Sequence, residues 1–133
     1  MALGAFTWTW PSVRVLLVDD EEGIRSVVSR FLEGDGHYVE TADDGVQALK
    51  KFHTGKWDLV ITDRIMPKLN GEGLAKVIKQ IDPNIPVILI TGAVDRAPNL
   101  RGDGSPFDRI ISKPFKYDTI RAAIASLRLQ EDR

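Results

Sequence analysis

Cysteine is absent from the 133 residues, so neither a disulfide framework nor a thiolate metal site is available. No apolar run approaches the ~20 residues that a membrane-spanning helix needs. Neither sign of charge is in excess: 18 basic and 19 acidic side chains leave a net charge of −1. That balance gives no support to nucleic acid or an anionic membrane as a direct partner. Histidine occurs only twice, and the isolated His37 and His53 read as surface or half-buried residues, not as phosphocarriers. What is present is ordinary for a soluble globular chain, 43% hydrophobic and 28% charged, and the length suits one domain. A cytoplasmic location is the default expectation.

The first twelve residues stand apart. Trp8 and Trp10 alternate with threonines, without the basic start and long apolar middle of a signal peptide. Residues 1–12 are expected to be a disordered or appended leader, the alternative being an extended strand that covers an apolar groove. Residues 13–130 form the domain and 131–133 a tail.

Within the domain, short apolar runs alternate with helix-period segments. Val13–Val18 is nearly all apolar, as a strand buried on both faces should be. Ile24, Val27, Val28, Phe31 and Leu32 follow with helical spacing, and Gly34-Asp35-Gly36 stops that helix. Tyr38–Ala42 reads as a second strand, with Asp43 or Asp44 capping a helix that carries Val46, Leu49 and Phe52. Trp57–Thr62 is the third strand, Pro86–Thr91 the fourth and Phe107–Ile111 a short fifth. Leu74, Val77, Ile78 and Ile81 stripe the helix after strand three; Tyr117, Ile120, Ile124 and Leu127 stripe the last. Between strands four and five, Pro98, Gly102, Gly104 and Pro106 disfavour a helix, so the fourth one is expected to be weak or displaced.

This alternation implies a doubly wound, five-stranded parallel sheet of flavodoxin-like topology, strand order 2-1-3-4-5. The ligand crevice of such a sheet lies at the carboxyl ends of strands one and three. Asp19, Asp20 and Asp63 fall at those two ends, and Lys113-Pro114 at the end of strand five. Three carboxylates that close call for a cation, and the lysine leaves room for a transferred anion. The pattern is that of divalent-metal-assisted phosphoryl transfer to an aspartate.

The residues that carry this reading resemble the receiver domain of two-component response regulators, from about Val13 to Leu127. The resemblance rests on Val-Asp-Asp-Glu at 18–21, Ala-Asp-Asp-Gly-Val-Gln-Ala-Leu at 42–49 and Asp-Leu-Val-Ile-Thr-Asp-Arg-Ile-Met-Pro at 58–67. It also uses Asn-Gly at 70–71, Ile-Leu-Ile-Thr-Gly at 88–92 and Lys-Pro-Phe at 113–115. It implies that Asp63 accepts a phosphoryl group from a histidine kinase or a histidine phosphotransfer protein. Asp20, Asp63 and the carbonyl of Ile65 would ligate Mg²⁺, with Mn²⁺ as the alternative ion, and Asp19 would act through a bound water. Thr91 and Lys113 would hold phosphoryl oxygens, with Gly92 leaving space over them. A cis Lys113-Pro114 bond is expected. The signal would pass to a downstream protein or a second copy of the chain.

Three features depart from the family pattern. The switch position three residues before Lys113 is usually aromatic and is here Ile110, so coupling of Thr91 to an aromatic rotamer cannot operate as usual. The small-residue turn before strand five is replaced by residues 102–107. Ile65 and Ala93, which would flank a hydrolytic water, are apolar, so slow self-dephosphorylation is expected.

Other functions fit less well. A dehalogenase-type aspartyl-phosphate phosphatase needs a general acid two residues after its nucleophile, where this chain has Ile65. A flavodoxin-like carrier would have its cofactor phosphate repelled by Asp19-Asp20-Glu21-Glu22. The remaining alternative is a pseudo-receiver that binds partners without phosphorylation. The chain is not expected to be an enzyme beyond its own phosphorylation and dephosphorylation.

Overall fold

The computed structural model describes residues 12–92, 102 and 104–127. Five strands form one all-parallel sheet: β1 Arg14–Val18, β2 Tyr38–Ala42, β3 Leu59–Asp63, β4 Val87–Thr91 and β5 Arg109–Ser112. Their order is β2-β1-β3-β4-β5, as the alternation implied. Four helices are described: α1 Glu22–Gly34, α2 Gly45–Thr54, α3 Gly71–Ile81 and α4 Tyr117–Leu127.

Because side chains alternate across a strand, the central strands supply two separate cores. Val15, Leu17, Leu59, Ile61, Ile88 and Ile90 face Val28 and Leu32 of α1 and Ile120 and Ile124 of α4. Leu16, Val18, Val60 and Val87 face Ala48 and Phe52 of α2 and Leu74, Ala75 and Ile78 of α3. β3 and β4 are buried throughout, which explains why their sequences run apolar without alternation.

Local chemistry sets the ends. Of the two candidate caps, Asp44 is the one used: its Oδ1 accepts from the Gln47 amide at 2.7 Å. Asn70 caps α3 in the same way, accepting from the Gly73 amide at 2.8 Å. The Lys113-Pro114 bond is cis.

Several expectations need correction. Val27 and Phe31 do not belong to the buried stripe of α1: they are 53% and 49% exposed, and the core takes Val28 and Leu32. Val46 and Ile81 are likewise exposed at the outer edges of their helices. A five-residue apolar set is too wide an arc for one helix face on a sheet, so its flank stays half in water, with Phe31 stacked on Tyr117 of α4 at 4.7 Å between ring centroids. β3 includes Asp63, and β5 begins at Arg109; Phe107 lies before it and packs beside Ile110 on Leu89. His37 is buried, with its Nδ1 accepting from the Val13 amide at 3.2 Å. The expected leader apart from Ser12, the tail, Ala93 and most of the segment between β4 and β5 lie outside the described residues. Among those described, no helix is long and apolar enough to cross a membrane.

Candidate functional site

Register brings the site together. Val18 pairs with Thr62, so the next residues, Asp19 and Asp63, emerge side by side at the carboxyl edge. Asp63 pairs with Ile90, which sets Thr91 one step beyond it, and Thr91 pairs with Ser112, the residue before Lys113. Four segments distant in sequence thereby converge on one crevice, at the place where the winding of the sheet reverses.

Asp19 and Asp63 are buried, Asp20 is exposed, and one carboxylate oxygen from each lies within 4.8 Å of the others. The Lys113 ammonium is shared among three carboxylates: 3.3 Å from Asp63 Oδ2, 3.4 Å from Glu21 and 3.8 Å from Asp19. Burial pushes the Asp19 carboxyl up to about 6, against the stabilising Glu21 amide, with the Asp63 charge adding to the rise. Burial alone would depress Lys113; the charges of Asp19 and Asp63 outweigh it and hold the ammonium above its ordinary value.

The backbone fixes these groups. Asp19 Oδ1 accepts from the Glu21 amide at 2.8 Å, and Arg25 donates to the Asp19 carbonyl at 2.6 Å. The paired aspartates therefore do not cap α1: its N-cap is Glu21, with no side-chain cap bond. Asp63 Oδ1 accepts from the Arg64 amide at 2.8 Å. Gly71 presses on the same turn, its amide donating to the Arg64 carbonyl at 2.7 Å. A Cβ at Gly71 would collide with the Asp63 carbonyl oxygen, so only glycine lets α3 start there.

The donor set is entirely oxygen, clustered, and short of positive charge, with one ammonium against three aspartates and Glu21. Hard divalent cations take such sites, and Mg²⁺ fits best because two or three protein oxygens suffice when waters fill the octahedron. Nitrogen- and sulfur-seeking metals find no ligand in it.

Other expected residues are placed less centrally. Thr91 is buried and ends β4, one residue beyond the partner of Asp63 in the sheet. Gly92 follows it, and among the described residues a Cβ there would meet only the Lys113 Cβ, at 3.9 Å, so space is ample. The Ile65 side chain is 70% exposed, two residues after Asp63. Ile110 is half-buried and pairs with Leu89, two residues down the strand from Thr91. Ile110 and Phe107 share the Leu89 cluster, so an aromatic ring is present on this face, though not at the usual switch position.

Three polar residues beside the site were not foreseen: Glu21, Arg25 and Arg64. Arg64 Nε donates to Glu72 Oε1 at 2.8 Å, in the first turn of α3. An arginine adjacent to a strand-end aspartate was the visible signal.

Residues 15–125 match the sequence profile of the response regulator receiver domain family. A probable transcriptional regulator of Guillardia theta is 38% identical over 114 residues, covering 86% of this chain and 44% of that protein. The alkaline phosphatase synthesis transcriptional regulatory protein PhoP of Bacillus subtilis is 33% identical over 114 residues, covering 86% and 48%. This chain thus spans about half the length of the curated relatives it matches. Among solved structures, response regulator protein TrrA of Thermotoga maritima, in complex with Mg²⁺ and beryllofluoride, is 35% identical. It superposes with a TM-score of 0.76 over 86% of this chain and 97% of that one.

Proposed function

Because this chain belongs to the response regulator receiver family, we propose that it acts in two-component signalling by accepting a phosphoryl group on Asp63 in a Mg²⁺-dependent reaction. The observation that carries the proposal is the Lys113 ammonium 3.3 Å from a buried Asp63 carboxylate that lies in an aspartate cluster. An ordinary strand-end aspartate would be solvated and alone.

A carboxylate oxygen of Asp63 attacks the phosphorus of a phosphohistidine on a kinase or phosphotransfer protein. The P–N bond breaks, its electron pair returns to the imidazole, and an acyl phosphate remains on Asp63. Lys113 meets the phosphoryl oxygens as negative charge gathers, while its contacts with Asp19 and Glu21 keep it at the crevice. The Thr91 hydroxyl takes a further phosphoryl oxygen, and Gly92 leaves room above it. Asp20, Asp63 and the Ile65 carbonyl would hold Mg²⁺, with Asp19 acting through water. Bound Mg²⁺, or Mn²⁺ in its place, supplies Lewis-acid neutralisation of the transferring group. Later attack of water on phosphorus releases orthophosphate and restores the carboxylate.

The chemistry modifies the protein itself, so its output is a change of contacts with a downstream protein or a second copy of the chain. Incubation with acetyl phosphate and Mg²⁺, followed by intact mass, tests the reading. One Mg²⁺-dependent phosphoryl adduct, lost in Asp63→Asn, is the expected result. A folded protein that never gains an adduct from acetyl phosphate or a kinase would instead be a pseudo-receiver.

A further inference from the structure

The Arg64–Glu72 pair flanks the acceptor without taking part in the reaction described above. Arg64 follows Asp63 directly, and its amide already donates to Asp63 Oδ1. Its guanidinium rests on Glu72, at 2.8 Å, with the two side chains 23% and 33% exposed. Glu72 is the residue after Gly71, whose amide bonds the Arg64 carbonyl, so the acceptor turn and the start of α3 are joined twice.

Phosphorylation changes the charge balance of this corner. A carboxylate with a single negative charge becomes an acyl phosphate with about two, bearing oxygens that suit a planar guanidinium in bidentate contact. Lys113 is already divided among Asp63, Asp19 and Glu21, and Arg25 is held on the Asp19 carbonyl. Arg64 is held only by a partly exposed ion pair, a kind of contact that solvent screens heavily. Glu72 loses little when left alone, because a carboxylate in the first turn of a helix is favoured by the exposed amides there.

We propose that Arg64 is exchanged between two anions: it rests on Glu72 in the unphosphorylated protein and moves to the phosphoryl group once Asp63 carries one. Glu72 is the competitor that sets how readily this happens. Its release at the first turn of α3 converts modification of Asp63 into a new charged surface beside the site. This inference rests on the reading of Asp63 as the acceptor.

The test uses beryllofluoride as the phosphoryl probe, with Mg²⁺, titrated into wild type, Arg64→Gln, Glu72→Gln and the double variant. Fluorine NMR reports bound probe, and urea unfolding reports stability separately. Arg64→Gln is expected to weaken binding several-fold, and Glu72→Gln to tighten it several-fold by removing the competitor. The tightening should vanish in the Arg64→Gln background. If Glu72→Gln tightens binding equally in that background, the effect is bare charge and the exchange is overturned. Single variants that shift affinity in the same direction, or not at all, overturn it too and leave a purely structural pair. Wild type that binds no probe would overturn the acceptor reading itself, and the exchange with it.

Discussion

Lys113 Nζ lies 3.3 Å from Asp63 Oδ2 across fifty residues of sequence, at the ends of β5 and β3. These strands are not neighbours; β4 separates them. The lysine therefore spans the end of β4, where Thr91 and Gly92 lie, to reach the aspartates. It is the only ammonium or guanidinium among the described residues that forms ion pairs with both Asp19 and Asp63.

Removing that ammonium should cripple acceptance without unfolding the domain. Lys113→Ala is expected to slow adduct formation from acetyl phosphate by about a hundredfold, the scale for losing one preorganised donor to developing charge. Initial rates by intact mass, with circular dichroism to check the fold, measure it.

Gly71 joins stability to the site. Gly71→Ala drives a Cβ into the Asp63 carbonyl oxygen and to 3.0 Å from Arg64 Cα, both backbone groups that cannot rotate aside. Overpacking of this kind costs about 1–3 kcal/mol, read from urea unfolding. Because the displaced atoms are those of the acceptor turn, the surviving folded protein should also accept phosphoryl groups more slowly.

Ile65 offers a test of lifetime alone. It is exposed, so Ile65→Asn should change stability by no more than about 0.5 kcal/mol. An amide at that position can orient a water where isoleucine cannot. The acyl phosphate of the variant is expected to decay on the order of tenfold faster, followed by loss of the adduct after the phosphodonor is removed.

His37 predicts a pH dependence remote from the aspartates. Burial holds its pKa below the ordinary 6.5, although the nearby Asp35 carboxylate pulls the other way. The neutral ring accepts the Val13 amide proton through Nδ1, which the protonated ring cannot do. The folded state thus binds this proton less readily than the unfolded chain. The stability is fully present above 6.5 and is lost as pH falls through the depressed folded value. Between about pH 7 and about pH 5 the urea midpoint of wild type should fall relative to that of His37→Gln, the raised Asp19 carboxyl adding the opposite slope equally to both.

The sheet was legible because parallel strands buried on both faces leave continuous aliphatic runs, and β1, β3 and β4 have them. Their order followed from the chirality of the crossovers, and the site from the charges that end each run. Helix faces were less legible. Val27 and Phe31 satisfy helical spacing as well as Val28 and Leu32 do, and only packing decides which pair meets the sheet. His37 read as a surface or half-buried residue because its partner, the Val13 amide, lies 24 positions away. Arg64 and Glu72 escaped notice for a related reason: their pairing depends on how the turn after β3 folds back, which no local periodicity encodes.

The most direct test of the account is to locate the phosphoryl group. Protein treated with acetyl phosphate and Mg²⁺ is reduced with borohydride, which converts an acyl phosphate on aspartate to homoserine, and the peptides are sequenced by mass spectrometry. Homoserine at position 63, absent when Mg²⁺ is chelated, is the predicted result. Homoserine at another aspartate, or an unmodified Asp63 in protein that carries a phosphoryl adduct, would contradict it.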